Sequence, residues 1–486
     1  MDELLHLSLE TVIAASPMLG HKLEDRSRVR HSQDPVLVQA FQKSSTLPLN
    51  NSSQKDLFLV APFDILVECL DGEKRFHIIE TNGTGIGGLT NLPSGVIATV
   101  LQALTEMARS LPGPGPLVLL GVSGQESSKH PRHNHLLHEK LLYMEAIKRG
   151  LEAKGEVRLL TMAQLSEEPT ALQTEQPTVV LGYIKEFLNQ LQCGAEGRLT
   201  LFDRSVTAGV NDRFCLNVVS RFGHLVDLTR FITINRCFAS GADKGLVYGL
   251  LDEYAQSHPT AGFPSQVPFV RVDSRAALIR SVVNWIRAGR KVVIKPQGTG
   301  LGHGLEFFLT REEPIDAVIG KIDHSIRVTE HYYGAIGGAF PYTVCDFFDT
   351  CVIDEPGHRL HGHKYELRVV VYRDGMNLKA VPSIAKVSSQ GYDADKVTRL
   401  SLINNITTSA EAKKREGTDF MLPLSSRDTL KLLKIEPSHM EALCRYCTGY
   451  MRYILEQLEK QPKRFGLEYQ ETPGSDGKGS EALPAR

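Results

Sequence analysis

The segment FHIIETNGTGIGG, Phe76 to Gly88, places a carboxylate and an amide two residues apart at the mouth of a glycine-rich turn. Side chains two apart on a strand project to the same face, so Glu80 and Asn82 would present two oxygens to one point. Asp64, at the start of the strand predicted to pair with this one, is a third candidate. Mg²⁺ prefers oxygen ligands and is commonly held by one or two carboxylates together with phosphates. The pattern indicates a magnesium site; the alternative is that the three side chains only cap turns or face solvent.

A lysine followed by a run of glycines stands in KVVIKPQGTGLGHG, Lys291 to Gly304. Lys295 ends a β-rich run, so its ammonium would be held on a strand while the loop behind it bends over a ligand. Backbone N–H groups of such a loop, joined by a lysine, can neutralise phosphate oxygens. The order differs from that of the GxxxxGK[ST] phosphate loop, because the lysine precedes the glycines. The stretch indicates either a phosphate-binding loop or a plain hairpin loop. Its candidate residues are Gly298, Thr299, Gly300 and Gly302.

Three hairpins are predicted to position these side chains. Apolar stretches interrupted by turn residues predict them over 63–82, 291–309 and 365–387. Asp-Gly pairs mark the turns of the first and the third. The hairpin over 63–82 carries the candidate magnesium ligands, and the one over 291–309 carries Lys295 and its glycine loop.

Between the first two hairpins the pattern predicts a βαβ unit. Helical periodicity over 95–111 is followed by PGPGP, which cannot continue a helix and marks a boundary. A buried-strand run at 117–122, a helical stretch closed by glycine and a second strand run come next. This order is typical of a small parallel-sheet domain.

Composition and charge exclude several classes of partner. The chain of 486 residues carries 55 basic and 56 acidic residues, a formal net charge of −1. Such a balance creates no overall field that would attract nucleic acid or an anionic membrane, so we expect neither as a partner. No apolar run approaches the roughly 20 residues that span a bilayer, and the N-terminus lacks the features of a signal peptide. A cytoplasmic location is therefore expected.

The eight cysteines are scattered along the chain apart from Cys444 and Cys447. This distribution predicts no disulfide framework and fits a reducing compartment. No second CxxC completes a zinc site, and apolar residues recur at helical intervals around the pair. We interpret these two thiols as packing residues of one helix.

Four segments resemble successive motifs of the ATP-grasp superfamily of ATP-dependent ligases: FDILVECLDGEKRFHIIETN, VVIKPQGTGLGHG, YELRVVVYRDG and LSLINNI. In most members the motif with an Asp followed by Glu-x-Asn comes last. Here it comes first, as in eukaryotic-type glutathione synthetases, which ETNGTGIGGL, PLVLLGVSGQES and VVIKPQ also resemble in the same order. The resemblance covers most of residues 60–410. It implies an α/β fold, namely a circularly permuted ATP-grasp fold with an inserted parallel-sheet substrate domain.

The resemblance also implies a domain organisation. The expected parts are an N-terminal helical region with the displaced metal-binding hairpin (1–111), an α/β substrate-binding domain (117–240), an ATP-grasp nucleotide-binding region (241–462) and a polar tail predicted to be disordered (466–486).

Residue by residue, the resemblance implies that Glu80 and Asn82 bind Mg²⁺. Asp64 matches the acid that precedes them in unpermuted members. It is also the substitute for a carboxylate that glutathione synthetases have soon after Lys-Pro-Gln and that this chain lacks. The segment YTVCDFFD is implied to be the hinge whose backbone reads adenine, through Asp346, Phe347 and Phe348.

The phosphate-binding residues follow from the same resemblance. Lys244 in ADKG and Lys295 match the two lysines that contact ATP phosphates, and the glycine loop would cover those phosphates. Arg368 in ELR would face the transferred phosphate, so that Arg368 and Lys295 are the expected catalytic residues. Either Asn404 or Asn405 matches a polar position near the phosphates.

The implied function is ATP- and Mg²⁺-dependent ligation of a carboxylate to an amine through an acyl phosphate, on an amino acid or small peptide. Glutathione is not the favoured product, because LINNITTSAEAKKREGTDF does not match the substrate loop of glutathione synthetases. The alternatives are a small-molecule kinase and a nucleotide-binding protein without turnover. Arg204 and Arg213 either bind a substrate carboxylate or are solvated. The sequence leaves the oligomeric state open, a homodimer included.

Overall fold

The computed structural model describes most of the chain between residues 32 and 465. The described residues are 32–81, 91–122, 133–210, 218, 221–222, 225–227, 230–234, 243–260, 262–263, 268–299, 302–333, 339–402 and 420–465.

The described strands, in chain order, are β1 (Leu47–Pro48), β2 (Val60–Leu70), β3 (Glu73–Thr81), β4 (Leu117–Val122), β5 (Arg158–Thr161), β6 (Thr178–Tyr183), β7 (Leu191–Cys193), β8 (Leu199–Leu201), β9 (Arg204–Ser205), β10 (Ala208–Val210), β11 (Ile232–Ile234), β12 (Phe269–Val272), β13 (Val292–Pro296), β14 (Glu306–Phe308), β15 (Tyr342–Asp346), β16 (Tyr365–Asp374), β17 (Asn377–Val387) and β18 (Met421–Pro423).

The described α-helices are α1 (Pro35–Ser45), α2 (Ser94–Arg109), α3 (His133–Leu151), α4 (Met162–Glu167), α5 (Ile184–Gln190), α6 (Lys244–Ser257), α7 (Arg275–Arg287), α8 (Ile315–Tyr333), α9 (Arg399–Leu402), α10 (Arg427–Leu432) and α11 (Pro437–Lys460). Short 3₁₀ helices cover Ser52–Asp56, Glu152–Lys154, Pro169–Leu172, Ala195–Gly197 and Pro462–Phe465.

A six-stranded antiparallel sheet joins the early and the late parts of the chain. Its spatial order is β1-β17-β16-β2-β3, and β18 also pairs with β17. The hairpins predicted over 63–82 and 365–387 are therefore confirmed, and they lie side by side because β2 pairs with β16. Asp71 and Gly72 both have positive φ, as the first tight turn requires.

One face of this sheet is apolar and is covered by α11 and α1. Every second side chain of the paired strands points to this face and is buried in one core with the helices. The sheet residues of this core include Phe63, Ile65, Val67, Phe76, Ile78, Leu367, Val369, Ala385 and Val387.

A second sheet is wholly parallel and follows the order β11-β10-β4-β6-β5. Parallel neighbours need crossover connections, and α3 and α4 provide them before β5 and β6. Val118 and Leu120 of β4 pack with Val100 and Leu104 of α2 in a second core. The predicted βαβ unit is thus confirmed, and the domain boundaries stay predictions. A small antiparallel sheet, β7-β8-β9, follows along the chain.

A third, antiparallel sheet has the order β12-β15-β13-β14, which confirms the hairpin predicted over 291–309. Helices α7 and α8 cover one of its faces through a core that contains Leu278, Ile322 and Val344. Helix α6 contacts β3 of the six-stranded sheet as well as β12 and β15 of this sheet. It therefore lies between the two sheets.

The cysteines differ in part from expectation. Cys444 and Cys447 are fully buried in α11, which confirms their interpretation as packing residues. Cys69 and Cys351, in contrast, form a disulfide with 5.5 Å between their Cα atoms. The scattered spacing concealed this pair, because strand β2 brings together positions 282 residues apart.

None of the described helices is long and apolar enough to cross a membrane.

Reduction of the Cys69–Cys351 disulfide is expected to destabilise the protein by about 2–4 kcal/mol, because a crosslink over so long a loop restricts the unfolded chain. Thermal unfolding with and without a dithiol reductant measures this loss. In Cys351→Ser the reductant should cause no further change, and an equal drop in that variant would contradict the prediction.

Candidate active site

The second face of the six-stranded sheet carries charged side chains around Asp64. Residues directly opposite each other on neighbouring strands share a face. The register pairs Asp64 with Glu80 on β3 and with Arg368 on β16, and it pairs Glu366 with Lys386. This charged face comprises Asp64, Glu68, His77, Glu80, Glu366, Arg368 and Lys386.

A β-bulge places Glu80 on the charged face. Ile65 pairs with Ile78, whereas the preceding Asp64 pairs with Glu80, so Ile79 is the extra residue. With strict alternation Glu80 would follow Ile78 onto the apolar face. The bulge reverses this and turns the carboxylate towards Arg368 and the third sheet.

Asp64 is buried and ion-paired on this face. Arg368 donates from Nε and Nη2 to the two oxygens of Asp64, each over 2.8 Å. Lys386 Nζ lies 3.0 Å from Oδ2 of Asp64 and also pairs with Glu366. Burial opposes the ionised form of Asp64, but Arg368 and Lys386 outweigh it and hold its pKa well below the usual value. Burial raises the pKa of Glu366, and the attraction of Lys386 does not offset this.

The predicted metal ligands are only partly described. Asp64 already accepts hydrogen bonds at both oxygens, and its role as a ligand stays a prediction. Glu80 has 29% of its side chain exposed, and its oxygen lies 3.5 Å from Lys244 Nζ. Among the described residues, no group of three Asp, Glu, His or Cys side chains is arranged to hold a metal ion.

The N-terminus of α6 positions Lys244. Asp243 is the N-cap, and its carboxylate accepts a hydrogen bond from the backbone N–H of Gly245 over 3.0 Å. Arg271 Nε donates to the other oxygen of Asp243 over 2.8 Å. The cap begins the helix at Lys244, whose ammonium lies beside Glu80 of β3.

Lys295, at the end of β13, reaches the same helix. Its Nζ donates to the hydroxyl of Tyr248 over 2.5 Å, and Tyr248 lies one helical turn after Lys244. Burial works against the charged form of Lys295. Its pKa is nevertheless raised, because Cys345, Tyr248 and Glu80 favour the ammonium. Glu80 also contributes to the raised pKa of Arg368, after Asp64 and Glu366. The charge of Glu80 therefore acts on all three predicted phosphate-binding cations.

The far end of the glycine loop is anchored on α8. Ser325 Oγ donates to the carbonyl of Gly304 over 2.5 Å. Gly304 has φ +70°, and a Cβ there would lie 2.3 Å from Thr329 Oγ1, so only glycine fits. On the near side, Thr299 is buried, and Gly298 also has positive φ.

Arg399 of α9 holds the same loop. Its guanidinium donates to the carbonyl of Gly302 and, over 3.0 Å, to that of Leu305. It also lies 3.8 Å from the carboxylate of Glu306. Arg399 therefore connects α9 to the glycine loop, although almost a hundred residues separate the two.

A small apolar cluster lies on the face of the third sheet opposite α7 and α8. Val293 of β13 shares this face with Lys295 because strand side chains alternate. Three residues of the cluster are buried, and four half-buried residues pack against them: Tyr248, Val293 and Cys345, and Phe269, Leu305, Phe307 and Phe347. The ammonium of Lys295 lies beside this cluster, 5.1 Å from the centre of the Tyr248 ring.

The predicted hinge includes the end of β15 and lies beside this cluster. The backbone N–H of Asp346 donates to the carbonyl of Pro268 over 3.1 Å, and that of Phe347 donates to the carbonyl of Lys291 over 2.9 Å. These two N–H groups are therefore already bonded within the protein, and the reading of adenine by this segment stays a prediction.

Side chains fix the hinge from both sides. Arg290 Nε donates to Asp346 over 2.6 Å, and the guanidinium lies 3.5 Å from the centre of the Trp285 ring. The ring of Phe348 lies 4.4 Å from that of His77 on the charged face. The hinge thus contacts the six-stranded sheet as well as its own.

Several predicted residues lie outside the described part of the chain. They are Asn82, Gly300, Asn404, Asn405 and Arg213. The structure brings together Glu80, Lys244, Lys295 and Arg368.

Arg204, a candidate for binding a substrate carboxylate, instead forms hydrogen bonds within the protein. Its guanidinium donates to the carbonyls of Gly115 and Gln176, over 3.0 and 2.6 Å, and to Thr178 Oγ1. These partners lie at the amino ends of β4 and β6, away from the edge where open α/β sheets bind ligands. Arg204 is therefore a structural residue that holds loop carbonyls.

Sequence reasoning missed Tyr248 and Lys386. The signal for Tyr248 was its spacing of four from Lys244 in a predicted helix, which places both on one helix face. The signal for Lys386 was its place in a predicted hairpin opposite Glu366, but the bulge at Ser383 obscures that register.

No protein-family model and no curated protein sequence matches the chain. Among solved structures, it is similar to a provisionally named gamma-glutamylcysteine synthetase from Methylobacillus flagellatus KT. That similarity has a TM-score of 0.46 and 12% identity, over 94% of this chain and 96% of the other.

Two further solved structures show weaker similarity. A glutathione synthetase-like effector (GSS30) from Globodera pallida has a TM-score of 0.35 and 13% identity, over 78% of this chain and 84% of that one. D-alanyl-alanine synthetase A from Vibrio cholerae has a TM-score of 0.27 and 12% identity, over 69% and 99%. At these scores the similarities carry no argument about the activity of this chain.

Asp64→Asn is expected to lower the free energy of unfolding at neutral pH by about 3–5 kcal/mol, because it removes the buried carboxylate that pairs with Arg368 and Lys386. Denaturant titration measures the loss. Asp354→Asn is the matched control, since Asp354 pairs with Lys434 in an exposed position and its substitution should change stability little. Equal effects of the two substitutions would contradict the prediction.

The carboxylate of Asp64 should also make the free energy of unfolding depend on pH. Its native pKa lies below its unfolded pKa of about 3.9, so its contribution is complete above that value and is lost as the pH falls towards the native pKa. Unfolding measured from pH 6 downwards should therefore show a shallower acid decline in Asp64→Asn than in the wild type. Parallel curves would show that Asp64 does not titrate in this way.

Proposed function

We propose that the protein is an ATP-dependent carboxylate–amine ligase. The observation that carries this proposal is the grouping of Lys244, Lys295 and Arg368 around Glu80, beside an apolar cluster. Three cations around one point suit a triphosphate. The half-buried aromatic rings of the cluster, those of Phe269, Phe307 and Phe347, are the candidates to contact its base. The assignment to ligation, rather than to another phosphoryl transfer, rests on the resemblance of the ordered motifs to ATP-grasp ligases.

In the proposed reaction the chain's own cations stabilise the transferred phosphoryl group. Lys244 and Lys295 bind the ATP phosphates, and Arg368 faces the transferred group in an orientation held by Asp64. A substrate carboxylate oxygen attacks the γ-phosphorus and ADP leaves, which forms an acyl phosphate. The amine then attacks the acyl carbon, phosphate leaves, and the amine gives up a proton. An amide results.

The proposed cofactor is Mg²⁺, which would be held by Glu80 and Asn82. The partly exposed carboxylate of Glu80, beside the phosphate-binding lysine Lys244, fits a site built from oxygen ligands. When bound, the ion withdraws charge from the β- and γ-phosphates.

Water must be excluded because it would hydrolyse the acyl phosphate. The glycine loop is the proposed cover. Its far end is anchored at Gly304 by Ser325 and at Gly302 by Arg399.

The test is phosphate release from ATP and Mg²⁺ with pools of amino acids and short peptides, added singly and in pairs. Release that requires both an acid and an amine, with ADP as the other product, supports ligation and identifies the substrates. ADP formation with a single phosphorylated acceptor would instead establish a kinase. Nucleotide binding without release in any pool would favour a protein without turnover.

Two substitutions separate binding from turnover. Lys295→Ala should weaken ATP binding by about tenfold or more, because a phosphate loses a charged hydrogen-bond donor. Glu80→Gln should depress turnover more than nucleotide affinity, because it alters the proposed metal site. Calorimetric binding and phosphate release measure the two effects.

Lys148→Ala is the control for these variants, since Lys148 forms a surface pair with Glu152 away from the site. It should leave both quantities unchanged. Normal turnover in Glu80→Gln would remove this residue from the metal site.

A further inference from the structure

Tyr248 occupies a position that no motif assigns. It lies on α6 one turn after Lys244 and is only 1% exposed. Its hydroxyl accepts the hydrogen bond of Lys295 over 2.5 Å, and the Lys295 ammonium lies 5.1 Å from the centre of the Tyr248 ring. The same ring is one of the three buried side chains of the apolar cluster and meets Phe269 edge-on at 5.5 Å.

Binding of a phosphate by a lysine costs side-chain entropy, and Tyr248 reduces this cost for Lys295. The four-carbon stem of a lysine loses rotamer freedom when its ammonium is held in one place. Lys295 is half-buried at the end of β13, and its bond to Tyr248 fixes the ammonium before any ligand arrives. Preorganisation of this kind removes a cost from binding.

We propose that Tyr248 is a positioning residue of the nucleotide site, its hydroxyl holding the ammonium of Lys295 in place for the phosphates. This inference rests on the proposed nucleotide site. The hydroxyl acts as a neutral group, since burial raises the pKa of Tyr248 to about 12.

The role of the hydroxyl can be separated from that of the ring. Tyr248→Phe keeps the ring, so it should weaken binding of Mg-ADP about tenfold, while adenosine, which carries no phosphate, binds as it does to the wild type. A merely structural tyrosine would not separate the phosphate from the base in this way.

The matched control is Tyr254→Phe. Tyr254 lies on the same helix, but its ring packs among Tyr446 and Tyr450 rather than beside Lys295. The same chemical change there should leave the affinity for both ligands unaltered. The unfolding midpoint of each variant shows whether the fold is retained.

Calorimetric titration of the full chain with Mg-ADP and with adenosine decides between the outcomes. In a Lys295→Ala background, Tyr248→Phe should cause no further loss of Mg-ADP affinity, because its effect acts through the lysine. Wild-type affinity in Tyr248→Phe, equal losses for both ligands, or additive losses in the double variant would each overturn the positioning role. Failure of the wild type to bind either ligand would instead overturn the proposed function.

Discussion

The ion pair between Asp64 and Arg368 is the interaction on which the site depends. It joins two strands that lie 304 residues apart in the chain, and both partners are largely removed from water. A buried carboxylate is tolerated only when cations and hydrogen bonds compensate its desolvation. Arg368 and Lys386 provide this compensation, and Arg368 is thereby held in one orientation. The charged face can exist inside a folded chain because its charges are paired across neighbouring strands.

The two β-bulges of the six-stranded sheet lie next to Asp64 and Arg368. One admits Ile79 beside Asp64, and the other admits Ser383 beside Arg368. Bulges re-aim side chains and increase strand twist locally. Here the first moves Glu80 from the apolar face to the charged one. The charged group is therefore assembled where the regular ladder is interrupted, whereas the opposite face continues as an ordinary hydrophobic core under α11.

The candidate nucleotide site arises between sheets rather than within one. The six-stranded sheet contributes Glu80 and Arg368, the third sheet contributes Lys295 and most of the apolar cluster, and α6 contributes Lys244 and Tyr248 from between them. Helix α6 contacts both sheets, so its N-cap and its first turn set the position of Lys244 relative to Lys295 and Arg368. Asp243 caps the start of this helix and is itself held by Arg271, so the backbone at Lys244 is fixed.

The sequence by itself determined the local elements and the kinds of chemistry. Alternating apolar residues and turn residues predicted the three hairpins, because strand periodicity and turn propensity act over a few residues. The glycine spacing beside Lys295 indicated either a phosphate-binding loop or a plain hairpin loop. Only the tertiary structure decided that Glu80 faces Arg368, that Asp64 is enclosed by two cations, that Tyr248 holds Lys295 and that Cys69 meets Cys351. Each of these depends on strand register, on a bulge or on the packing of a helix between sheets. Such contacts are set by the burial of whole faces and leave no signature in neighbouring residues.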